Sequence, residues 1–246
     1  AALGTGFTFL MTTLGAAMVF FFAGEPRPHF QKTLLGFAAG VMTAASVWSL
    51  LLPAIDRAAE EALPDWLPAA GGMLLGVVFL SALDALLPHL RRDRARQDAS
   101  WRQTTLLMTA ITLHNVPEGM AVGLAFALAS GGEGFAGAAA LAMGIGIQNF
   151  PEGAAVALPL RQGGWSRPRA FAGGMLSGAV EPVFGVLAAL AAAGVDPLMP
   201  WLLSFAAGAM LYVVVEELIP QAHSRAGTCG FVLGFLVMMV LDVALG

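Results

Sequence analysis

The sequence predicts an all-α polytopic membrane protein with eight transmembrane helices, and three observations carry that prediction. The 246-residue chain is 58% hydrophobic and 11% charged, about half the charge of an ordinary soluble domain, so it has too few charged side chains to cover a water-soluble core. Its apolar residues fall in runs of about twenty, the length that crosses a hydrocarbon layer of about 30 Å. Its 30 glycines are the small residues that let membrane helices approach closely. The single cysteine, Cys229, excludes a disulfide framework within the chain and any multi-cysteine metal site. The whole chain, 1–246, reads as one transmembrane domain.

The first span is expected at 3–22. The chain begins directly in this apolar stretch, with no charged segment ahead of it, so no signal peptide is expected there. The second span is expected at 33–52, followed by residues 54–65 (AIDRAAEEALPD), which read as a short amphipathic surface helix with an acidic face. The third, 67–89, ends at a short basic connector, 91–103. The fourth and fifth, 104–130 and 135–160, run long and contain Pro117 and Pro151, so both are expected to be kinked. The sixth, seventh and eighth follow at 169–193, 198–220 and 226–245, parted by charged or Pro/Gly-rich breaks.

The basic residues give the orientation. Arg27 and Lys32, then Arg91, Arg92, Arg94, Arg96 and Arg102, then Arg161, Arg167 and Arg169, then Arg225 all fall in connections on one side. Of the 12 basic residues only Arg57 faces the other way. By the positive-inside rule the rich side is cytoplasmic, which puts both termini outside a cell inner membrane. A miscounted helix would scatter these charges, so their segregation supports eight spans independently.

A carboxylate at mid-membrane costs roughly 2.5–3.5 kcal/mol even on the lenient insertion scale, yet this chain carries several. Glu118, Glu152 and Glu181 lie within spans four, five and six. Asp84, Glu216 and Glu217 lie nearer the cytoplasmic ends of spans three and seven, and Asp242 near the outer end of span eight. No lysine or arginine is placed at mid-membrane to neutralise them, which implies that a cation or protons do so.

The sharpest feature is a repeated hexapeptide, His114-Asn115-Val116-Pro117-Glu118-Gly119 in span four and Gln148-Asn149-Phe150-Pro151-Glu152-Gly153 in span five. Positions one and five of each are four apart and share a helix face. Each proline removes an amide donor and loosens the helix, and freed carbonyls near such a site can be satisfied by an ion or water. Imidazole, amide and carboxylate converging from two helices make a mixed nitrogen and oxygen site suited to borderline divalent metals such as zinc, iron, manganese or cadmium. Both glutamates can bridge, so two ions can be held. His114 or a Pro-Glu-Gly run alone would read as packing; the whole pattern repeated with glutamate in register does not.

HNVPEG followed by QNFPEG in consecutive spans resembles the ZIP family, the zinc- and iron-regulated transporter-like proteins, over nearly the whole chain. The resemblance implies uptake of divalent metal into the cytoplasm by an elevator-like motion, with His114, Asn115, Glu118, Gln148, Asn149 and Glu152 as metal ligands. Two departures stand out. Gln148 occupies a place that usually holds histidine, and the long histidine-rich cytoplasmic loop is replaced by the short basic 91–103.

Glu181-Pro182 repeats the pairing of acid and kink and is expected to join the cluster as a third carboxylate. Met42 is a candidate thioether ligand on the outer approach. Asp84, His89, Glu216 and Glu217 are candidates for an exit relay, and Asp242 for the entrance. The partners expected are divalent ions and the lipid bilayer, with a homodimer open, no prosthetic group and no nucleic acid. No GxxxxGK[ST] phosphate loop is present, so transport runs on an ion gradient. Alternating access around an inverted repeat is the expected mechanism, with protonation of the glutamates releasing the metal. No HExxH helix marks an intramembrane metalloenzyme. A proton-coupled carrier of an organic solute would more often show a basic residue or broken-helix amides facing an anionic substrate group, and no such cation is found, whereas a metal-selective channel would share the same site.

Overall fold

A computed structural model of the chain describes residues 1–21, 28–59, 64, 66–91, 99–129, 134–192 and 196–245. The side chains of Asp84, His89 and His114 lie outside the described residues. The described elements are helical: α1 (Ala2–Ala16), α2 (Pro28–Ala45), α3 (Leu52–Ala58), α4 (Trp66–Arg91), α5 (Ala99–Leu128), α6 (Phe135–Gln162), α7 (Arg167–Gly178), α8 (Val180–Ala192), α9 (Met199–Val213), α10 (Ile219–Ala222) and α11 (Arg225–Leu245). Among the described residues six stretches are long and apolar enough to cross a bilayer: Ala2–Phe20, Lys32–Ala58, Trp66–Leu83, Arg167–Ala192, Met199–Ala222 and Arg225–Ala244. The protein is a polytopic all-α membrane protein. Its surface agrees, since Leu3, Leu74, Val78, Leu190 and Val243 are all more than half exposed, which suits a lipid solvent and not water.

The two helices bearing the hexapeptides are 30 and 28 residues long and run unbroken through Pro117 and Pro151. They are not among the six stretches. In α6 the polar run Gln148-Asn149 with Glu152 lowers the apolarity that the other helices have. The acidic segment after span two is partly a continuation of that span: residues up to Ala58 are helical, joined to α2 through a π-helical stretch at Ser46–Leu51. Residues 99–103 of the expected basic loop belong to α5.

The most extensive helix pairings are α2 with α11, α1 with α6, α4 with α9 and α5 with α8. They sort the chain into two groups, α1 with α5 to α8, and α2 to α4 with α9 to α11. Exchange α1 with α7–α8, α2–α3 with α9–α10, α4 with α11 and α5 with α6, and every one of these pairings maps onto another. That is the contact pattern of an internal repeat. A second π-helical stretch, Val214–Leu218, follows α9 as the first follows α2, and each leads into a proline, Pro53 and Pro220. Proline cannot donate to the carbonyl four residues back, and the wider turn absorbs that misfit.

Glycines make the pairings close. A Cβ on Gly36, Gly40, Gly230 or Gly234 would strike backbone across the α2–α11 contact, one on Gly76 or Gly208 across α4–α9, and one on Gly15 or Gly153 across α1–α6. Gly119, Gly123 and Gly185 do the same between α5 and α8. Backbone contact this close is the usual basis of helix association in a bilayer.

Candidate metal centre

Each proline of the hexapeptides leaves a helix turn short of one amide donor, and the acids sit directly after these loosened turns. Asn115 and Glu118 on α5, Gln148 and Asn149 on α6 and Glu181 on α8 are fully buried, and Glu152 is 5% exposed. The sixth span breaks beside Glu181: α7 ends at Gly178 and α8 begins at Val180. Pro182 has no amide to give the preceding turn, and the Ser177 carbonyl is capped by the Asn115 Nδ2 at 2.8 Å.

Neutral donors reach the acids. Gln148 Nε2 donates to Glu118 Oε1 at 2.6 Å and to Asn149 Oδ1 at 3.1 Å. Asn149 Nδ2 donates to Glu181 Oε2 at 2.9 Å, and Thr12 Oγ1 on α1 donates to Glu181 Oε1 at 3.1 Å. Glu118 is also within electrostatic range of both Glu152 and Glu181. Among the described residues the arrangement leaves four buried oxygens of the site without a hydrogen-bond partner: Asn115 Oδ1, Glu118 Oε2, Gln148 Oε1 and Glu152 Oε2. All four belong to the two hexapeptides. Unpaired acceptors buried in a protein are costly, and hard or borderline cations are the ligands that such an oxygen set suits.

The structure therefore brings together Asn115, Glu118, Gln148, Asn149 and Glu181, and aims one Glu152 oxygen into the protein interior. Among the described residues no three His, Cys, Asp or Glu side chains cluster tightly enough to hold an ion by themselves. The carboxylates are instead interleaved with amides, and the His114 side chain lies outside the described residues. Met42 is fully buried in the apolar core among Ala38, Val41 and Ala45. Glu216 is exposed and Glu217 half-buried, both in the second π-helical stretch.

Asp242 lines a cavity of about 330 Å³ between the two helix groups, together with Trp48, Ser49, Asp56, Ala129 and Gly134. Its Oδ1 accepts from Ser49 Oγ at 2.7 Å and its Oδ2 has no hydrogen-bond partner. Asp56 is an addition that the residue pattern did not single out, because it sits in a charged segment that reads as a solvated connector.

One contribution to the site comes from α1. Thr5, Thr8 and Thr12 are fully buried along one face of that helix, spaced three and four apart. The Thr5 and Thr8 hydroxyls donate to carbonyls of the preceding turn, Thr5 to Ala1 at 3.1 Å and Thr8 to Thr5 at 3.0 Å, the usual way to hide a hydroxyl in a helix, whereas the one Thr12 proton has two acceptors in reach, the Thr8 carbonyl at 3.3 Å and the nearer Glu181 Oε1 at 3.1 Å.

The family described as "ZIP Zinc transporter" matches residues 95–242. The chain is 38% identical to the human protein "Zinc transporter ZIP11", over 100% of this chain and 97% of that one. It is 39% identical to "Zinc transporter GufA" of Myxococcus xanthus, over 96% of this chain and 94% of the relative. It is 38% identical to "Zinc transporter ZIPB" of Bordetella bronchiseptica, over 100% and 81%.

Proposed function

Because the chain belongs to the ZIP zinc transporter family, we propose that it carries divalent transition-metal ions, zinc foremost, across a cell membrane into the cytoplasm. It is a transporter and not an enzyme. The observation that carries the reading is the set of four unpartnered buried oxygens on Asn115, Glu118, Gln148 and Glu152. Iron, manganese and cadmium suit the same donors, and glutamine in place of a histidine shifts the balance toward oxygen.

His114, Glu118, Gln148 and Glu152, positions one and five of the two motifs, form the first ion position. Both asparagines turn toward the sixth span, Asn115 to Ser177 and Asn149 to Glu181. With Glu181 they supply a second position beside the first, the two glutamates of the motifs being shared. Counting α5 and α6 as spans gives eight, and the segregated arginines then place both termini outside. The exchangeable pairings support an inverted repeat, and the two helix groups move against each other in alternating access. Asp242 and Asp56 serve the entrance. Met42, Asp84, His89, Glu216 and Glu217 are the remaining candidates along the path, and a homodimer is the candidate assembly.

Two measurements check this reading. Metal ligands must be deprotonated, so lowering the pH weakens binding and raising it restores it. The apparent Kd for zinc should rise at least about tenfold between pH 7.5 and pH 5.5, since histidine competes with protons over that range. A pH-independent Kd over that range would contradict imidazole ligation. Asp242→Asn should raise the KM for zinc influx by about threefold with kcat unchanged, an effect that shrinks with added salt, as expected of electrostatic steering. An equal fall in kcat would move Asp242 from the entrance to the transport step.

A further inference from the structure

We infer that Thr12 is a positioning residue of the metal centre: through Glu181 it holds Asn149 in place and keeps the second ion position closed. The inference rests on the two-position reading above, and the hydrogen bonds carry it. Both oxygens of Glu181 are already engaged, Oε1 by the Thr12 hydroxyl at 3.1 Å and Oε2 by the Asn149 amide at 2.9 Å. The other side of the Asn149 amide, Oδ1, accepts from Gln148. So among the described residues Asn115, Glu118, Gln148 and Glu152 each keep a free buried oxygen, whereas Glu181 and Asn149 do not. An ion entering the second position must break hydrogen bonds that an ion entering the first does not.

The fold explains why a threonine on α1 does this. A Cβ on Gly153, the last residue of the second motif, would strike the Thr12 carbonyl, and one on Gly119, the last residue of the first, would strike the Glu181 carbonyl. Under the exchange that maps α6 onto α5 and α1 onto α8, Thr12 and Glu181 are therefore counterparts. They meet each other by hydrogen bond where the two halves of the repeat touch. Gly178 packs on the Thr12 side chain itself, which leaves the hydroxyl little freedom to turn away. α1 grips the pair at a second point, since Asn149 Nδ2 also lies 3.5 Å from the Thr8 carbonyl.

Titration of the detergent-solubilised full chain with zinc chloride, by calorimetry, reads both positions. Wild type should bind one zinc tightly and a second at least about tenfold more weakly, the scale set by a hydrogen bond to a charged group. Thr12→Val keeps the shape but removes the donor, and should tighten the second binding by about tenfold while changing the first by less than about twofold. Thr12→Ser restores the donor and should return wild-type behaviour. If Thr12→Val does not yield folded protein, Thr12→Ala carries the same expectation. An unchanged second constant in the variants, or first and second constants that fall together, overturns the positioning role. Absence of tight zinc binding by wild type overturns the metal-centre reading beneath it.

Discussion

Glu118→Ala should weaken zinc binding by more than about hundredfold, above the 10–100-fold typical of losing a group one step removed from the metal, and should abolish measurable transport. Glu118 is fully buried, it offers a free oxygen to the site, and its other oxygen accepts from Gln148 at 2.6 Å. Removing it deletes one ligand directly. It also frees Gln148 Nε2 from the bond that turns the glutamine's own oxygen inward, so a second ligand loses its orientation. Glu118→Gln separates the two effects, because an amide of the same shape keeps an acceptor for Gln148 but carries no charge. It should bind zinc more weakly than wild type and more tightly than Glu118→Ala. Binding by calorimetry and influx into vesicles measure both variants, and wild-type binding by Glu118→Ala would remove this residue from the site.

Gly153→Val should destabilise the protein by at least about 1–3 kcal/mol, the usual cost of forcing volume into a packed interface, and lower its melting temperature accordingly. A Cβ there would strike the Thr12 carbonyl and press on the Ala16 amide, and both are backbone atoms that no rotamer change can move. The α1–α6 pairing, one of the four most extensive, would have to open. Since α1 holds Glu181, zinc binding at the second position should change together with stability. A nearby glycine gives the control: a Cβ on Gly6 meets nothing within 4 Å, so Gly6→Val should leave the melting temperature within about 1 °C of wild type, as surface substitutions do. Equal melting temperatures for both variants would show that α1 and α6 are not held at this distance.

The fold class was legible in the sequence, and so was the burial of polar residues in the two motifs, because both rest on local signals. Runs of apolar residues report a bilayer by length alone, and the repeated Pro-Glu-Gly with polar residues before it reports a cation site because carboxylates in lipid demand compensation. The membership of α1 in the site was not legible. Thr5, Thr8 and Thr12 are ordinary in a membrane helix, where a hydroxyl can return its proton to its own backbone, and only the tertiary pairing brings Thr12 to Glu181. Their spacing of three and four was the available signal. The π-helical stretches before Pro53 and Pro220 were hidden for a similar reason, as an extra residue in a turn leaves the apolar pattern nearly unchanged. Asp56 was set aside because charges around it suggested solvent, whereas the helix continues past the span and carries it to the cavity beside Asp242. The division into two helix groups depends on which glycines face which backbone, and no single stretch of chain shows that.

The central claim is that the two hexapeptides hold a metal ion in transit through the membrane. Zinc influx into liposomes containing the purified full chain tests it most directly, with a fluorescent zinc indicator inside, flux recorded from pH 5.5 to 7.5, and preloaded zinc used to measure counterflow. The account predicts saturable influx well above empty liposomes, accelerated by zinc on the far side, and absent in Glu118→Ala. Influx no greater than in empty liposomes at every pH would contradict it.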